Sequence, residues 1–335
     1  GNTLPNPNLK WETSTTFNSA IDFGLWNNRL TATFEYYNTR TKDLLVSKTL
    51  NAALGYTSIL SNIGEIENKG FEFAINGYVV DNKDFKINAG IIFSTNKNKI
   101  ISLYGLDEDG DGIEDDDVGN QWFIGYPIGV EYNYQYAGIF QSQDEIDNSH
   151  QPDAQVGSIR LLDVDPNDGV LNPDDRVITK KDPDWIGTFN LDITYKNFDF
   201  TVQATTVQGR KMINPYYYSY NQGGDLRGLF NGIKQNYWTP ENPTGDWPRP
   251  DAGNSPVFMN TLGLQDASFF RISLLSLGYT LPEKLTNKLN MGSVRLYSTA
   301  RNPITITDYK SYSPDQNPNA YPEQVSVVFG LQVTF

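Results

Sequence analysis

VSVVFGLQVTF, residues 325–335, sets an apolar side chain at every second position: Val325, Val327, Phe329, Leu331, Val333 and Phe335, with Ser326, Val328, Gly330, Gln332 and Thr334 between them. A repeat of two is the repeat of a β-strand, whose successive side chains point to opposite faces. One face here is greasy and the other mostly polar. A strand of this kind closing on an aromatic residue is expected as the last strand of a membrane barrel.

The same alternation runs upstream. From Trp11 the odd positions read Trp11, Thr13, Thr15, Phe17, Ser19, Ile21 and Phe23; after a turn over Gly24 to Asn28, Leu30, Ala32, Phe34 and Tyr36 alternate with Arg29, Thr31, Thr33 and Glu35. That is a β-hairpin. A second pairs Phe71, Phe73, Ile75 and Val79 with Phe85, Ile87, Ala89, Ile91 and Phe93 across Asp81–Asp84. A third joins Phe189, Leu191, Ile193 and Tyr195 to Phe198, Phe200, Val202 and Ala204 across Lys196-Asn197, and a fourth links Phe270, Ile272 and Leu274 to Val294 and Leu296. Between hairpins lie long polar stretches, roughly 42–62, 98–128, 209–266 and 301–322. Short turns alternating with long loops are the habit of transmembrane barrels. Parity of the strands allows zero or two between Asn98 and Trp185; the alternation of Val130, Tyr132, Tyr134 and Tyr136 favours two, for about eleven in all. Phe17, Ile21, Phe34, Phe73, Ile91, Leu191, Val202 and Val327 are expected to face lipid.

Composition narrows the class. The 335 residues carry a formal charge of −14 and a mean hydropathy of −0.49, and no apolar run approaches the roughly 18 residues that a membrane helix needs. Insertion must therefore be by strands. With 20 Tyr and 18 Phe against 3 Met, the aromatic bias suits strands and membrane interfaces. The acidic balance speaks against a nucleic-acid groove, and the absence of cysteine excludes thiol catalysis, disulfides and Cys-ligated zinc. The opening GNTLPNPNL, without Met or leader, reads as a fragment or processed piece.

The segments at 6–45 (NPNLKWETSTTFNSAIDFGLWNNRLTATFEYYNTRTKDLL), 61–73 (SNIGEIENKGFEF), 126–146 (YPIGVEYNYQYAGIFQSQDEI), 271–285 (RISLLSLGYTLPEKL) and 321–335 (YPEQVSVVFGLQVTF) together resemble the carboxy-terminal half of a SusC-like (RagA-like) TonB-dependent transporter, in colinear order over nearly the whole chain. The resemblance implies that residues 1–335 are about half of one 22-stranded antiparallel β-barrel in a bacterial outer membrane. It also implies a plug domain and a TonB contact outside this chain, a SusD-like surface lipoprotein as lid, and import of glycans or peptides by a protein that is not an enzyme. The family's acidic loop DVNGDGVINADDR is here DVDPNDGVLNPDDR from Asp163, one residue longer.

Two acidic loops invite Ca²⁺, a hard cation that takes several oxygen ligands. In DEDGDGIEDDD, Asp107, Asp109 and Asp111 stand at alternate positions before Gly112, with Asp115 following; a twelve-residue EF-hand loop would need a carboxylate where Val118 stands. In the second loop, Gly169 as the turn glycine puts Asp168 and Asp175 at ligand positions and Pro166 at a third. The bland alternative for both is a solvated acidic loop. Tyr216, Tyr217, Tyr218, Tyr220, Tyr237, Trp238 and Trp247 crowd one polar stretch, and exposed rings there would stack on a substrate or meet the lid, whereas inward rings would simply pack the loop. His150, the single histidine, is expected to be a solvated loop residue. Gly223, Gly224 and Gly228 follow no strand and make no phosphate cradle. A surface-exposed all-β binding or adhesion module is the alternative function, with the apolar faces buried in a sandwich; an extracellular glycosidase stands third.

Overall fold

The computed structural model describes residues 3–50, 55–107, 109–215, 236–250, 258–317, 320–321 and 323–335. Nine long strands form one sheet: β1 (Thr13–Leu25), β2 (Leu30–Lys42), β3 (Glu65–Asp81), β4 (Phe85–Ser102), β5 (Trp185–Tyr195), β6 (Phe198–Gln208), β7 (Phe269–Thr280), β8 (Ser293–Thr307) and β9 (Ser326–Thr334). Each pairs antiparallel with its neighbours in sequence, so the sheet is an up-and-down meander with β1 and β9 at its edges.

Among the described residues nine strands join the sheet, where about eleven are expected from the sequence. Residues 103–184 contribute none to it; the alternation at Val130 to Tyr136 instead builds two short ladders, Glu131–Asn133 with Val177–Thr179 and Tyr136–Ile139 with Ile159–Leu161. A period of two reports only that a strand has two unlike faces, and a three-residue ladder over a local core satisfies it as well as a membrane strand does. This connection is longer than the one between β6 and β7.

Register settles the faces. One row of paired residues crosses all nine strands as Leu25, Leu30, Gly77, Ala89, Leu191, Val202, Leu275, Ala300 and Val327. The adjoining row, whose side chains take the opposite face, reads Gly24, Thr31, Asn76, Gly90, Asn190, Gln203, Leu274, Arg301 and Ser326. The pairing puts all eight residues expected to face lipid on the first, apolar face. Two expectations of register fail. A bulge between Tyr78 and Val80 takes Val79 out of the ladder, and another between Ile272 and Leu274 turns Leu274 to the polar face. An extra residue advances the alternation by one, which the eye, counting every second position, cannot see.

The connections divide as the sequence suggests. At one end, β1 and β2 are joined through Trp26, Asn27 and Asn28, all left-handed (φ 52°, 55° and 61°), and β5 and β6 through Lys196 (φ 52°) and Asn197. Asn tolerates that region because its short side chain bonds locally. The short-turn end of the apolar face carries rings: Phe85 on Tyr195 at 6.0 Å and Phe198 on Tyr279 at 4.6 Å. Toward the other end a second band runs across four strands, Phe34 to Phe73 (6.0 Å), Phe73 to Phe93 (5.2 Å) and Phe93 to Trp185 (5.6 Å). Between the two ring bands the face is mainly aliphatic, with Phe189 and Phe200 among the branched residues, as a bilayer with two interfaces selects. No described helix is long and apolar enough to cross a membrane.

Candidate functional site

The polar face carries a series of cross-strand hydrogen-bonded pairs. Ser14 meets Thr41 at 2.8 Å, Thr16 meets Thr39 at 2.9 Å, Asn18 donates to Glu35 at 2.6 Å and Thr33 donates to Asp22 at 2.6 Å. Farther along, Thr201 donates to Asp192 (2.7 Å), Ser276 meets Thr299 (2.9 Å), and Arg295 forks onto Asp199, its Nε at 2.9 Å. Hydroxyls, amides and paired charges in this order form a surface that water and polar solutes can wet.

Over the long-loop end of the sheet the connections fold into a cap with its own apolar core. Ile159, Leu161, Trp247, Met259 and Leu262 are buried together, with Tyr134, Leu171, Tyr237 and Phe258 packed against them. Each such side chain buried contributes about 1.5–3 kcal/mol, enough to order loops that the sheet alone would leave loose. Trp238 is buried and its Nε1 donates to Gln141 at 2.9 Å; a Cβ on Gly157 (φ 90°) would collide with the Trp238 ring, so glycine is required there. Lys211–Ile213 pairs with Leu264–Asp266, tying the base of the cap to the sheet end. Between these ladders opens a cavity of about 610 Å³ lined by Asn133, Gln135, Tyr136, Lys211, Asp246, Asp308 and Lys310, among others.

Arg271 is the main buried charge at the long-loop end of the wall. It donates to Asp315 at 2.6 and 3.2 Å, to Glu323 at 2.8 Å and to the Thr305 hydroxyl at 3.0 Å, and lies over the Phe269 ring. The segment after β8 is thereby folded back onto β7. Burial raises the Asp315 pKa, but the hydrogen bonds from Arg271 and Ser313 outweigh it, and the carboxyl titrates below its ordinary value. Forty-odd residues separate the partners in sequence, so no local pattern could announce the pair.

Of the residues singled out in sequence, Asp107, Asp109 and Asp111 come together, each offering an oxygen within 4.8 Å of the others, all exposed. Their carboxylates meanwhile accept backbone N–H groups of the same loop: Gly110 and Gly112 donate to Asp107, Asp111 to Asp109, and Ile113 to Asp111. Asp115 stays outside that group, as do Asp168 and Asp175. Asp175 is buried and accepts from the backbone of Asn172 and of Val164, both at 2.8 Å; these bonds, Asn172's first, hold its carboxyl below the usual range against the cost of burial. It acts as the hub that closes its loop. Tyr237 and Trp247 pack edge to face at 6.2 Å within the cap core, so these rings and Trp238 build the cap from inside. Tyr216, Tyr217, Tyr218 and Tyr220 lie outside the described residues. His150 is not simply solvated: its Nδ1 lies 2.6 Å from Asp163 Oδ2, half-buried, beside a cavity of about 600 Å³.

Comparison with known proteins gives this geometry a context. Residues 1–129 match the family described as TonB dependent receptor-like, beta-barrel. The chain is 34% identical over 322 residues to TonB-dependent receptor P3 of Formosa agariphila, covering 93% of the chain and 31% of that protein. To TonB-dependent receptor SusC of Bacteroides thetaiotaomicron it is 29% identical over 346 residues, 98% of the chain and 32% of that protein. Among solved structures, a chain of the RagAB peptide transporter superposes with a TM-score of 0.77 at 29% identity, covering 99% of this chain and 36% of its own length. This chain thus spans about a third of the length of the relatives it matches.

Proposed function

We propose that this chain, which carries β-barrel sequence of the TonB-dependent receptor type and is similar along nearly its whole length to SusC and to a chain of RagAB, forms part of the wall of an outer-membrane importer of oligomeric nutrients. One observation carries the reading: a single hydrogen-bond register gives nine strands one apolar and one polar face. In water an apolar face of that extent is a severe liability; against lipid, with the polar face turned to an aqueous lumen, it is what a pore requires. Both edge strands present unpaired backbone groups, which lipid does not tolerate, so the sheet must close with further strands.

The remaining parts of the reading follow the relatives. The short turns face the periplasm and the folded cap faces outward, where a SusD-like lipoprotein would sit as lid and an oligosaccharide or peptide would first be met. Energy comes from TonB through a part of the protein beyond these residues. Tyr216, Tyr217, Tyr218 and Tyr220 remain proposed contacts for substrate or lid, whereas Tyr237, Trp238 and Trp247 act by shaping the cap. Ca²⁺ at Asp107, Asp109 and Asp111 would fix the outer loop that bears them. No catalytic step is assigned.

The test is uptake. Cells lacking the gene should fail to accumulate at least one member of a labelled panel of oligosaccharides and peptides that parent cells accumulate, and collapse of the proton-motive force should abolish that accumulation. Equal accumulation by both strains across the panel would refute the importer.

A further inference from the structure

The apolar face ends abruptly on β2, β3 and β4. Beyond the rings Phe34, Phe73 and Phe93 comes one transitional row, Tyr36, Phe71 and Thr95, and then charge. Lys69 lies directly across from Lys97; the next row is Arg40, Glu67 and Lys99; the next contains Lys42 and Glu65. All share the face of the ring band, and Lys69 is two residues past Phe71, roughly 7 Å at the rise of a strand.

We propose that this sector binds the phosphate of an outer-leaflet lipid headgroup. The inference rests on the reading above, in which this face meets lipid and the long loops lie outside. Its first support is how the charges are layered. Glu67 and Glu65 have side chains only 5% and 16% exposed and lie beneath the cations, with Arg40, Lys42, Lys69 and Lys99 at 3.3–3.9 Å from them and 41–61% exposed. Two shielded carboxylates thus hold four cations, and Lys97 beside them makes five, an excess of three positive charges in a chain whose net charge is −14. The second support is Lys69 against Lys97. Like charges directly opposed across a ladder destabilise it, and Lys97 forms no ion pair among the described residues; an anion seated between them removes the repulsion. The third is continuity with the apolar surface. Phe17, Tyr36, Arg40 and Lys42 line one groove on this face, so rings and cations are offered together, as an amphiphile with an anionic head demands. The fourth is confinement: the corresponding ends of β6, β7 and β8 carry Thr206, Phe270 and Ile306, so the cations are a local site rather than a general belt.

The experiment uses the detergent-solubilised full-length protein and native mass spectrometry, titrating dioctanoyl phosphatidic acid, dioctanoylglycerol with the same chains and no phosphate, and sodium phosphate alone. Wild-type protein should take up phosphatidic acid in preference to the glyceride. Lys69→Gln/Lys97→Gln should weaken that uptake on the order of tenfold, each lysine near an anionic lipid surface being a substantial contributor, and leave the glyceride unchanged. Lys97→Gln alone, which breaks no ion pair, should weaken it severalfold and serves if the double variant is not recovered. Equal binding of phosphatidic acid by wild type and variants overturns the proposal, as does displacement of the lipid by equimolar sodium phosphate, which would make this a free-anion site. Outer-membrane recovery is scored in the same preparations: protein recovered from the membrane with unchanged lipid binding refutes the headgroup site alone, whereas wild type absent from the membrane refutes the importer.

Discussion

Leu191 and Asn190 are consecutive residues near the middle of β5, on opposite faces of the sheet. Leu191 is flanked by Ala89 and Val202 in the apolar row, Asn190 by Gly90 and Gln203 in the polar one. β5 runs from Trp185 to Tyr195, so both positions sit at mid-depth between the two ring bands. If this face meets lipid as proposed, Leu191→Arg sets a guanidinium against the centre of the hydrocarbon, at a cost of about 2–4 kcal/mol for a barrel strand. At about 1.4 kcal/mol per tenfold, that shifts insertion by roughly 30-fold to several hundredfold. On the same reading Asn190→Arg places the group in an aqueous lumen beside Gln203 and on the same face as Asp192, where little or no penalty is expected. The assay is the amount of full-length protein in a urea-washed outer-membrane fraction, followed by urea unfolding of what is recovered. Strong depletion for Leu191→Arg with near-normal recovery for Asn190→Arg is expected. The reverse order, or equal recovery, would refute the facing assigned to the whole sheet, because register ties all nine strands to these two residues.

Three further outcomes follow from the cap and the loops. Trp247→Ala should cost the cap about 3–5 kcal/mol, the usual loss for a large buried aromatic, and appear as rapid proteolysis within residues 103–184 while membrane insertion is unchanged. Arg271→Met should leave Asp315 and Glu323 without their cation and free the segment after β8, read as new protease cleavage between 308 and 325; breaking a buried pair from one side costs about 3–5 kcal/mol. Asp315 has a depressed pKa, so its contribution is complete above the ordinary carboxylate value near about 3.9 and is lost as pH falls through the lower folded value; protection of this segment should be flat from pH 7 to 5 and fail only in stronger acid. Calorimetry of the intact protein should give Ca²⁺ heat that Asp109→Ala and Asp111→Ala both abolish, with Mg²⁺ weaker because the exposed loop offers many ligands without octahedral order; no heat from wild type ends the calcium proposal.

How much of this was legible in the sequence depended on range. The apolar face was readable because alternation is local: Phe17 and Ile21, or Leu191 and Ile193, declare their face within a few residues. Bulges at Val79 and Ser273 broke the count because one inserted residue leaves no compositional mark. The alternation of Tyr132, Tyr134 and Tyr136 reads as barrel strand, while two of the apolar residues gathered around Tyr134, Trp247 and Phe258, lie more than a hundred positions away. For the same reason the crowding of Trp238 and Trp247 in a polar stretch leaves exposed platforms and inward packing equally open, and burial decides for packing. Arg271 with Asp315 and Glu323, and the cations gathered around Glu67, exist only once strands are paired; in sequence they are single charges among 66.

The central claim is that one sheet separates lipid from water, and the absence of cysteine from the chain makes it directly measurable. Single cysteines at each position from Trp185 to Tyr195, in a cysteine-free background of the full-length protein, can be spin-labelled in a bilayer and scored for collision with oxygen, which enriches in lipid, and with a polar nickel chelate, which stays in water. Oxygen collisions should peak at Gly187, Phe189, Leu191 and Ile193 and nickel collisions at Thr188, Asn190, Asp192 and Thr194, alternating in opposite phase along the strand. Nickel access at every position, or no alternation at all, would mean that the apolar face does not meet lipid and that the importer reading is wrong.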